Sequence, residues 1–268
     1  MRDLRSQYGQ YALVTGASAG IGEEFAVQLA QAGFDLVLVA RRKEKLDALA
    51  VDLHSQFGVA VEVVELDLDT ENASAALLTR TRYLDIGIAV LSAGIFTSGP
   101  FVDNTLADET RVLTLNVLVP MQLAHHYGRD MATRNRGAIV LVASTVGHQA
   151  APYVANYAAT KAYIATLGQS LNYELKKSGV DVLVLSPGPT KTEGVESAVG
   201  IDFTNLPVPM MESKRVVRKA LKGLGHRSLV IPGGINKFMD LLGKYLIPRP
   251  VLTKMYGLLL RRTLTTAT

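Results

Sequence analysis

Apolar residues along the chain fall into two alternating kinds of segment. Short, near-continuous runs of Val, Leu, Ile and Ala occur at Tyr11–Thr15, Phe34–Ala40, Val59–Leu66, Ile86–Ser92, Gly137–Ala143, Val180–Ser186 and Ser228–Ile231. Runs of this length and composition predict strands covered on both faces. Between them lie amphipathic stretches at helical spacing: Ile21–Ala32, Arg42–Phe57, Glu71–Tyr83, Ala107–Arg134, Tyr153–Lys177 and Glu212–Leu224. Regular strand–helix alternation implies right-handed crossovers. The expected fold is therefore α/β: a doubly wound Rossmann-type architecture with a seven-stranded, mostly parallel sheet and helices on both faces. No repeat or low-complexity linker interrupts it. One long irregular segment, 187–211, carries Pro187, Pro189, Pro207 and Pro209 and reads as a lid or binding loop. Residues 1–232 are expected to form one domain that includes this loop, and 233–268 a basic amphipathic extension.

Composition narrows the function classes. With 268 residues, 48% hydrophobic and 19% charged, the chain can bury a large core. It has no cysteine, which excludes disulfides, thiolate metal sites and a thiol nucleophile, and no metal site is expected. No apolar run approaches the ~20 residues of a membrane span, and the polar start does not resemble a secretory signal. A cytoplasmic protein is the expectation. The overall charge of +4 is uneven: residues 210–268 carry twelve Lys/Arg and two acids, while the rest is net negative. The basic residues alternate with aliphatics and have no stacking platform beside them, so nucleic acid is not the expected partner. The basic segment suits packing on a second subunit, covering a hydrophobic substrate mouth, or peripheral contact with a membrane surface.

Candidate chemistry lies at the strand ends. The first strand runs into Gly16-Ala17-Ser18-Ala19-Gly20-Ile21-Gly22, followed by a helix. There, free N–H groups at a helix N-terminus can receive a pyrophosphate. Gly16 permits the turn, Gly20 lets the backbone approach the ligand, Gly22 lets helix and strand pack, and Ser18 offers a hydroxyl. After the second strand come Arg41 and Arg42, where an acid would grip the ribose diol of NAD(H). Guanidinium groups suit a 2′-phosphate, so NADP(H) is expected over NAD(H). Asp67 follows the third strand, where it can accept from an adenine amino group, and Asp69 is a candidate helix N-cap. Ser92, Ala93 and Gly94 end the fourth strand with small residues against which a flat ring can lie.

Ser144 ends the fifth strand, and Tyr157 and Lys161 stand one helical turn apart. A neighbouring ammonium, helped by an oxidised nicotinamide, favours the phenolate and brings a Tyr into range for proton transfer. Ser144 can bind the same substrate oxygen. Asn116, polar within an apolar helical pattern, predicts a kink able to hold a water linking Lys161 to bulk.

Together TGASAGIG at 15–22, Asp67, SAG at 92–94, Asn116, Ser144, YAATK at 157–161 and SPGPTKT at 186–192 resemble the short-chain dehydrogenase/reductase family over about residues 8–232. Ser92 stands where that family usually has Asn. The resemblance implies an NADP(H)-dependent oxidoreductase acting on an apolar ketone or secondary alcohol of lipid, acyl or steroid character. It gives Tyr157 as acid/base, Ser144 as substrate-orienting group, Lys161 on the nicotinamide ribose and Asn116 at the relay water. Ala19, Ile21 and Leu68 join the cofactor contacts, Pro187, Gly188 and Thr190 line the nicotinamide end, and 187–211 becomes the substrate lid. Val195, Val199, Ile201, Phe203 and Leu206 there, with Val146, His148 and Tyr153, give the mouth an apolar character. A homodimer or homotetramer through the long helices is a further implication. The competing expectation is a regulatory or interaction protein that binds NADP(H) as a signal.

Overall fold

The computed structural model describes residues 3–193, 202 and 209–264. Seven strands form one parallel sheet: β1 (Tyr11–Thr15), β2 (Asp35–Ala40), β3 (Val61–Glu65), β4 (Ile86–Leu91), β5 (Gly137–Val142), β6 (Val180–Leu185) and β9 (Leu229–Val230). Their order is β3-β2-β1-β4-β5-β6-β9, and the parallel, doubly wound sheet is the one the alternating pattern predicts. Along each central strand successive side chains enter opposite layers. Ala12, Val14, Leu36 and Leu38 pack with Phe25 and Leu29 of α2 (Gly20–Gln31), Leu46 and Leu53 of α3 (Lys43–Phe57), and Val216 and Val217 of α8 (Ser213–Gly223). Leu13, Val37, Ile139 and Leu141 face Leu77 of α4 (Ala73–Thr81), Leu123 of α6 (Val119–Thr133) and Ile164 of α7 (Ala155–Leu175). Two-sided burial explains why these strands read as continuous apolar runs.

The sequence-based elements match the structure to within one or two residues at most ends. Three features differ. A short helix α1 (Leu4–Tyr8) precedes β1, with Asp3 capping it. The stretch expected as one helix from Ala107 consists of α5 (Leu106–Leu113), a π-helical turn at Thr114–Leu118, and α6. A two-stranded ladder of β7 (Thr190–Lys191) and β8 (Met211–Glu212) pins the base of the irregular segment. Val195, Val199, Ile201, Phe203 and Leu206, named as lid residues from sequence, lie outside the described residues.

The chain order reverses between β1 and β4, where helices leave to opposite faces. The crevice beyond the strand C-termini at such a point is where α/β sheets bind ligands. The basic C-terminal region forms α9 (Gly234–Tyr245) and α10 (Arg249–Thr263), which fold back over this same end. Asn236 of α9 donates to the Pro232 carbonyl at 3.0 Å, and Leu260 of α10 packs with Ala151, Val154 and Ala158. Ile235, Phe238, Met239, Tyr245 and Leu246 of this region, and Val251, Met255 and Leu258, are exposed. Among the described residues no helix is long and apolar enough to cross a membrane.

Candidate active site

The turn after β1 is built as its glycines require. Gly16 and Gly20 have φ of +69° and +63°, left-handed values that side-chain-bearing residues avoid. A Cβ at Gly22 would fall on the Gly16 carbonyl oxygen, so only glycine lets α2 sit this close to the loop. No side chain caps the N-terminus of α2, and Ala19 stands at its N-cap in extended backbone. The first amides of a twelve-residue helix therefore face the crevice. This glycine cradle and uncapped helix fit a dinucleotide pyrophosphate, as the sequence spacing predicts.

Thr15 fastens the cradle to the neighbouring strand. Its hydroxyl accepts from the amides of Ser92, at 3.0 Å, and Ala93, at 3.1 Å. The strand end is thus held through backbone groups, and no Asn is required at position 92 for this bond. Arg42 donates from Nε and Nη2 to the Ser18 hydroxyl at 3.2 and 3.1 Å, joining the second strand end to the loop. Arg41 faces Asp67 at 3.7 Å, and Leu68 is buried beside it. Asp69 does not cap α4. Asn72 occupies that position, while the Asp69 carboxylate accepts from Arg111 Nε at 2.6 Å.

Ser144, Tyr157 and Lys161 converge at the end of β5. Ser144 is buried and accepts from the Val146 amide at 3.3 Å. Lys161 is also buried, and its Nζ donates to the Val142 carbonyl at 2.9 Å and lies 5.5 Å from the centre of the Tyr157 ring. Phe96 packs against that ring, with centroids 5.7 Å apart. A Cβ at Gly94 would lie 3.5 Å from Lys161 Nζ and 2.9 Å from Asn116 Oδ1, so the small β4 end leaves room for these polar atoms.

The electrostatics differ from the sequence expectation. Among the protein's own groups, burial pushes the Tyr157 phenol above its ordinary value, opposed by the Ser144 hydrogen bond. Burial also draws Lys161 down to about 8. The lowering expected from the ammonium together with an oxidised nicotinamide is not produced by the polypeptide alone, because burial raises the phenol and Ser144 opposes it.

Asn116 sits in the π-helical turn, where a bend was expected. Its side chain is committed to protein partners: Oδ1 accepts from the Ile95 amide at 2.9 Å, while Nδ2 donates to the Ile95 carbonyl at 2.8 Å and to Thr160 Oγ1 at 3.1 Å. It clamps the chain after β4 against α7 at Thr160, one turn after Tyr157 and directly before Lys161. Pro187 contributes its carbonyl to the Ser144 hydroxyl at 3.5 Å and to the Thr145 amide at 3.0 Å. The Thr190 hydroxyl donates to the Gly188 carbonyl at 2.9 Å, and Asn236 packs closely on Gly188. The segment 187–190 thus borders the Ser144 end of the crevice.

Two polar clusters escaped the sequence reading. Glu109 is buried and accepts from Thr97 at 2.9 Å, Asn104 at 2.7 Å and Asn156 at 2.6 Å. It ties the residue before Tyr157 to the loop after β4. His148 bridges Asp240 of α9, through Nδ1, to the Ser186 hydroxyl, 3.1 Å from Nε2. Ser186 is fully buried, so this Ser–His–Asp row joins the C-terminal cover to the floor of the crevice and is not a nucleophilic triad. Tyr256 and Leu264 from the same cover pack, as do Val146, Tyr153 and Tyr157, against the buried cluster of Ala151, Val154, Ala158 and Leu260. The basic extension therefore lays apolar side chains on the segment that carries Tyr157.

Known proteins share this arrangement. Residues 10–199 match the family model described as short chain dehydrogenase. The 7beta-hydroxysteroid dehydrogenase of Clostridium sardiniense is 32% identical over 235 residues, covering 88% of this chain and 90% of that protein. A solved 7beta-hydroxysteroid dehydrogenase structure superposes with a TM-score of 0.87 at 29% identity, covering 94% of this chain and 98% of the other. A short-chain dehydrogenase from Sphingobium yanoikuyae, solved in complex with NADPH, gives 0.78 at 38% identity, covering 91% and 95%. With sheet order, glycine cradle and matched span in agreement, the chain belongs to the short-chain dehydrogenase/reductase family of oxidoreductases.

Proposed function

We propose that the protein interconverts a bulky, apolar ketone and its secondary alcohol with NADP(H), the substrate being of steroid-like size and rigidity. The observation that carries this reading is the meeting of Ser144, Tyr157 and Lys161 beside the glycine cradle, with apolar side chains of α10 laid on the segment that carries Tyr157. NADP(H), when bound, supplies or accepts the hydride. The protein's own groups handle the oxygen and its proton. Tyr157 donates a proton to the substrate oxygen in reduction and removes it in oxidation. The Ser144 hydroxyl, which lowers the pKa of that phenol, orients the oxygen. Lys161, anchored on Val142, holds the nicotinamide ribose and supplies the positive charge that burial alone does not give the phenol. Asn116 fixes the spacing between the β4 end and α7.

The cofactor preference rests on Arg41, Arg42 and Ser18. A guanidinium already held at the phosphate loop is preorganised for a 2′-phosphate and has no use for a neutral diol. The names of the relatives support the substrate class. Phe96, which packs on the Tyr157 ring, and the cluster of Ala151, Val154, Ala158 and Leu260 against which Tyr153, Tyr157 and Tyr256 pack support it from the structure as apolar area. A panel of steroid ketones, acyclic ketones and small aldehydes, run with NADPH and NADH in parallel, tests the reading. Turnover of polycyclic ketones with NADPH is expected. Activity confined to small polar aldehydes, or a preference for NADH, would overturn it.

A further inference from the structure

The base of the irregular segment places a carboxylate among the cations expected to receive the cofactor. β7 and β8 pair in parallel, Met211 donates its amide to the Pro189 carbonyl at 2.9 Å, and Lys191 pairs with Glu212 at 2.7 Å. Directly beyond this pinned base the chain crosses the glycine cradle. A Cβ at Gly20 would lie 2.9 Å from both Cβ and Cγ2 of Thr192. The next side chain, Glu193, extends over α3. Its Oε1 accepts from Arg42 Nη1 at 2.6 Å and from Lys45 Nζ at 3.1 Å, and its Oε2 accepts from Lys45 at 2.9 Å. Arg42 keeps Nε and Nη2 on Ser18 at the same time. One guanidinium therefore bridges the phosphate loop and the start of the lid. The two cations hold the Glu193 carboxyl well below the usual carboxylate range, at about 2, so it stays charged at any pH of interest.

We infer that Glu193 is a cofactor-specificity residue: its carboxylate competes with the 2′-phosphate of NADP(H) for Arg42 and Lys45, and so limits the discrimination against NAD(H). The inference rests on the proposed reading of Arg42 as a 2′-phosphate contact. A 2′-phosphate brings close to two negative charges to a guanidinium already paired with one. Binding it means giving up the Glu193 contact or sharing it against like-charge repulsion. The 2′-hydroxyl of NAD(H) makes no such demand and leaves the pair intact. Because both partners are roughly half exposed, the contact is weak enough to exchange and sensitive to salt. Thr192 above Gly20 adds a cover that acts alike on both cofactors, which carry the same pyrophosphate.

The experiment is a set of equilibrium titrations of the full chain with NADPH and with NADH, by quenching or calorimetry, for wild type, Glu193→Gln and Glu193→Asp. The readout is the ratio of the two dissociation constants, in which any loss of the common cover cancels. Glu193→Gln should raise the preference for NADPH several-fold, up to about tenfold, from the loss of one solvent-screened like charge near the phosphate. The gain should shrink as salt is added. Glu193→Asp keeps the charge and should stay near the wild-type ratio. An unchanged or reduced ratio in Glu193→Gln would overturn the inference. A wild-type protein that binds NADH more tightly than NADPH would instead remove the NADP(H) reading beneath it.

Discussion

Replacing Lys161 by Met should make the cofactor-free protein more stable while abolishing its activity. The lysine is buried, donates to the Val142 carbonyl and has no carboxylate partner there. Burial moves its pKa from 10.5 to about 8. At about 1.4 kcal/mol per pKa unit, holding the ammonium in this place costs roughly 3 kcal/mol at neutral pH. Methionine has a similar length and no charge, and its flexible thioether fills irregular gaps. Its adoption forfeits the bond to Val142, worth about 1 kcal/mol. A net gain of roughly 2 kcal/mol at pH 7 follows.

The pH dependence identifies the cause. Below about 8 both folded and unfolded wild type carry the proton, and the full cost applies. Between about 8 and 10.5 the unfolded chain still binds a proton that the folded one has released, so wild-type stability rises with pH relative to the variant. The advantage of Met should therefore shrink by up to about 1.4 kcal/mol per pH unit above pH 8. Urea unfolding of both proteins without cofactor at pH 6.5, 7.5, 8.5 and 9.5 measures it, and the comparison cancels every other titrating group. A Met variant less stable than wild type at pH 7, or an advantage unchanged at pH 9.5, would refute the reasoning.

Other residues give independent checks. Arg42→Ala should weaken NADPH about 10- to 100-fold and leave NADH within about twofold, because only the 2′-phosphate loses a charge-assisted bond; parallel titrations measure this. Gly22→Ala forces a methyl onto the Gly16 carbonyl, so a loss of about 1–3 kcal/mol in denaturant unfolding is expected, along with NADPH binding. Asp240→Asn removes the charge from the His148 pairing and loosens α9 over the crevice. It should lower kcat/KM for a polycyclic ketone about tenfold while affecting a small ketone less, and steady-state assays on the two substrates read the difference.

The parts of this molecule visible in its sequence are those written in local spacing. Strands covered on both faces announce themselves as apolar runs. The glycine cradle, Ser144 and the Tyr157–Lys161 pair each occupy a few adjacent positions or one helical turn, and the structure brings them to one end of the sheet. The bend at Asn116 was legible too, since a polar side chain interrupts an apolar helical stripe. What stayed hidden depends on partners far apart in the chain. Asp240 meets His148 across 92 residues, and Glu193 meets Arg42 across 151, contacts that leave no period or motif. Two-residue strands such as β7 and β8 are too short to show an alternation. The raised phenol pKa could not be read either, because the type of neighbour does not reveal the depth of burial, and here burial is the largest cause.

The central claim, that the Tyr157 phenol trades the proton at the substrate oxygen, is tested most directly by Tyr157→Phe under single-turnover conditions. The variant, saturated with NADPH and mixed with a polycyclic ketone, is followed through the loss of NADPH absorbance. The account predicts a rate lower by about 10²–10⁴, with the dissociation constant for NADPH within about twofold of wild type, since only the phenolic oxygen is removed. A variant that consumes NADPH at the wild-type rate would contradict it.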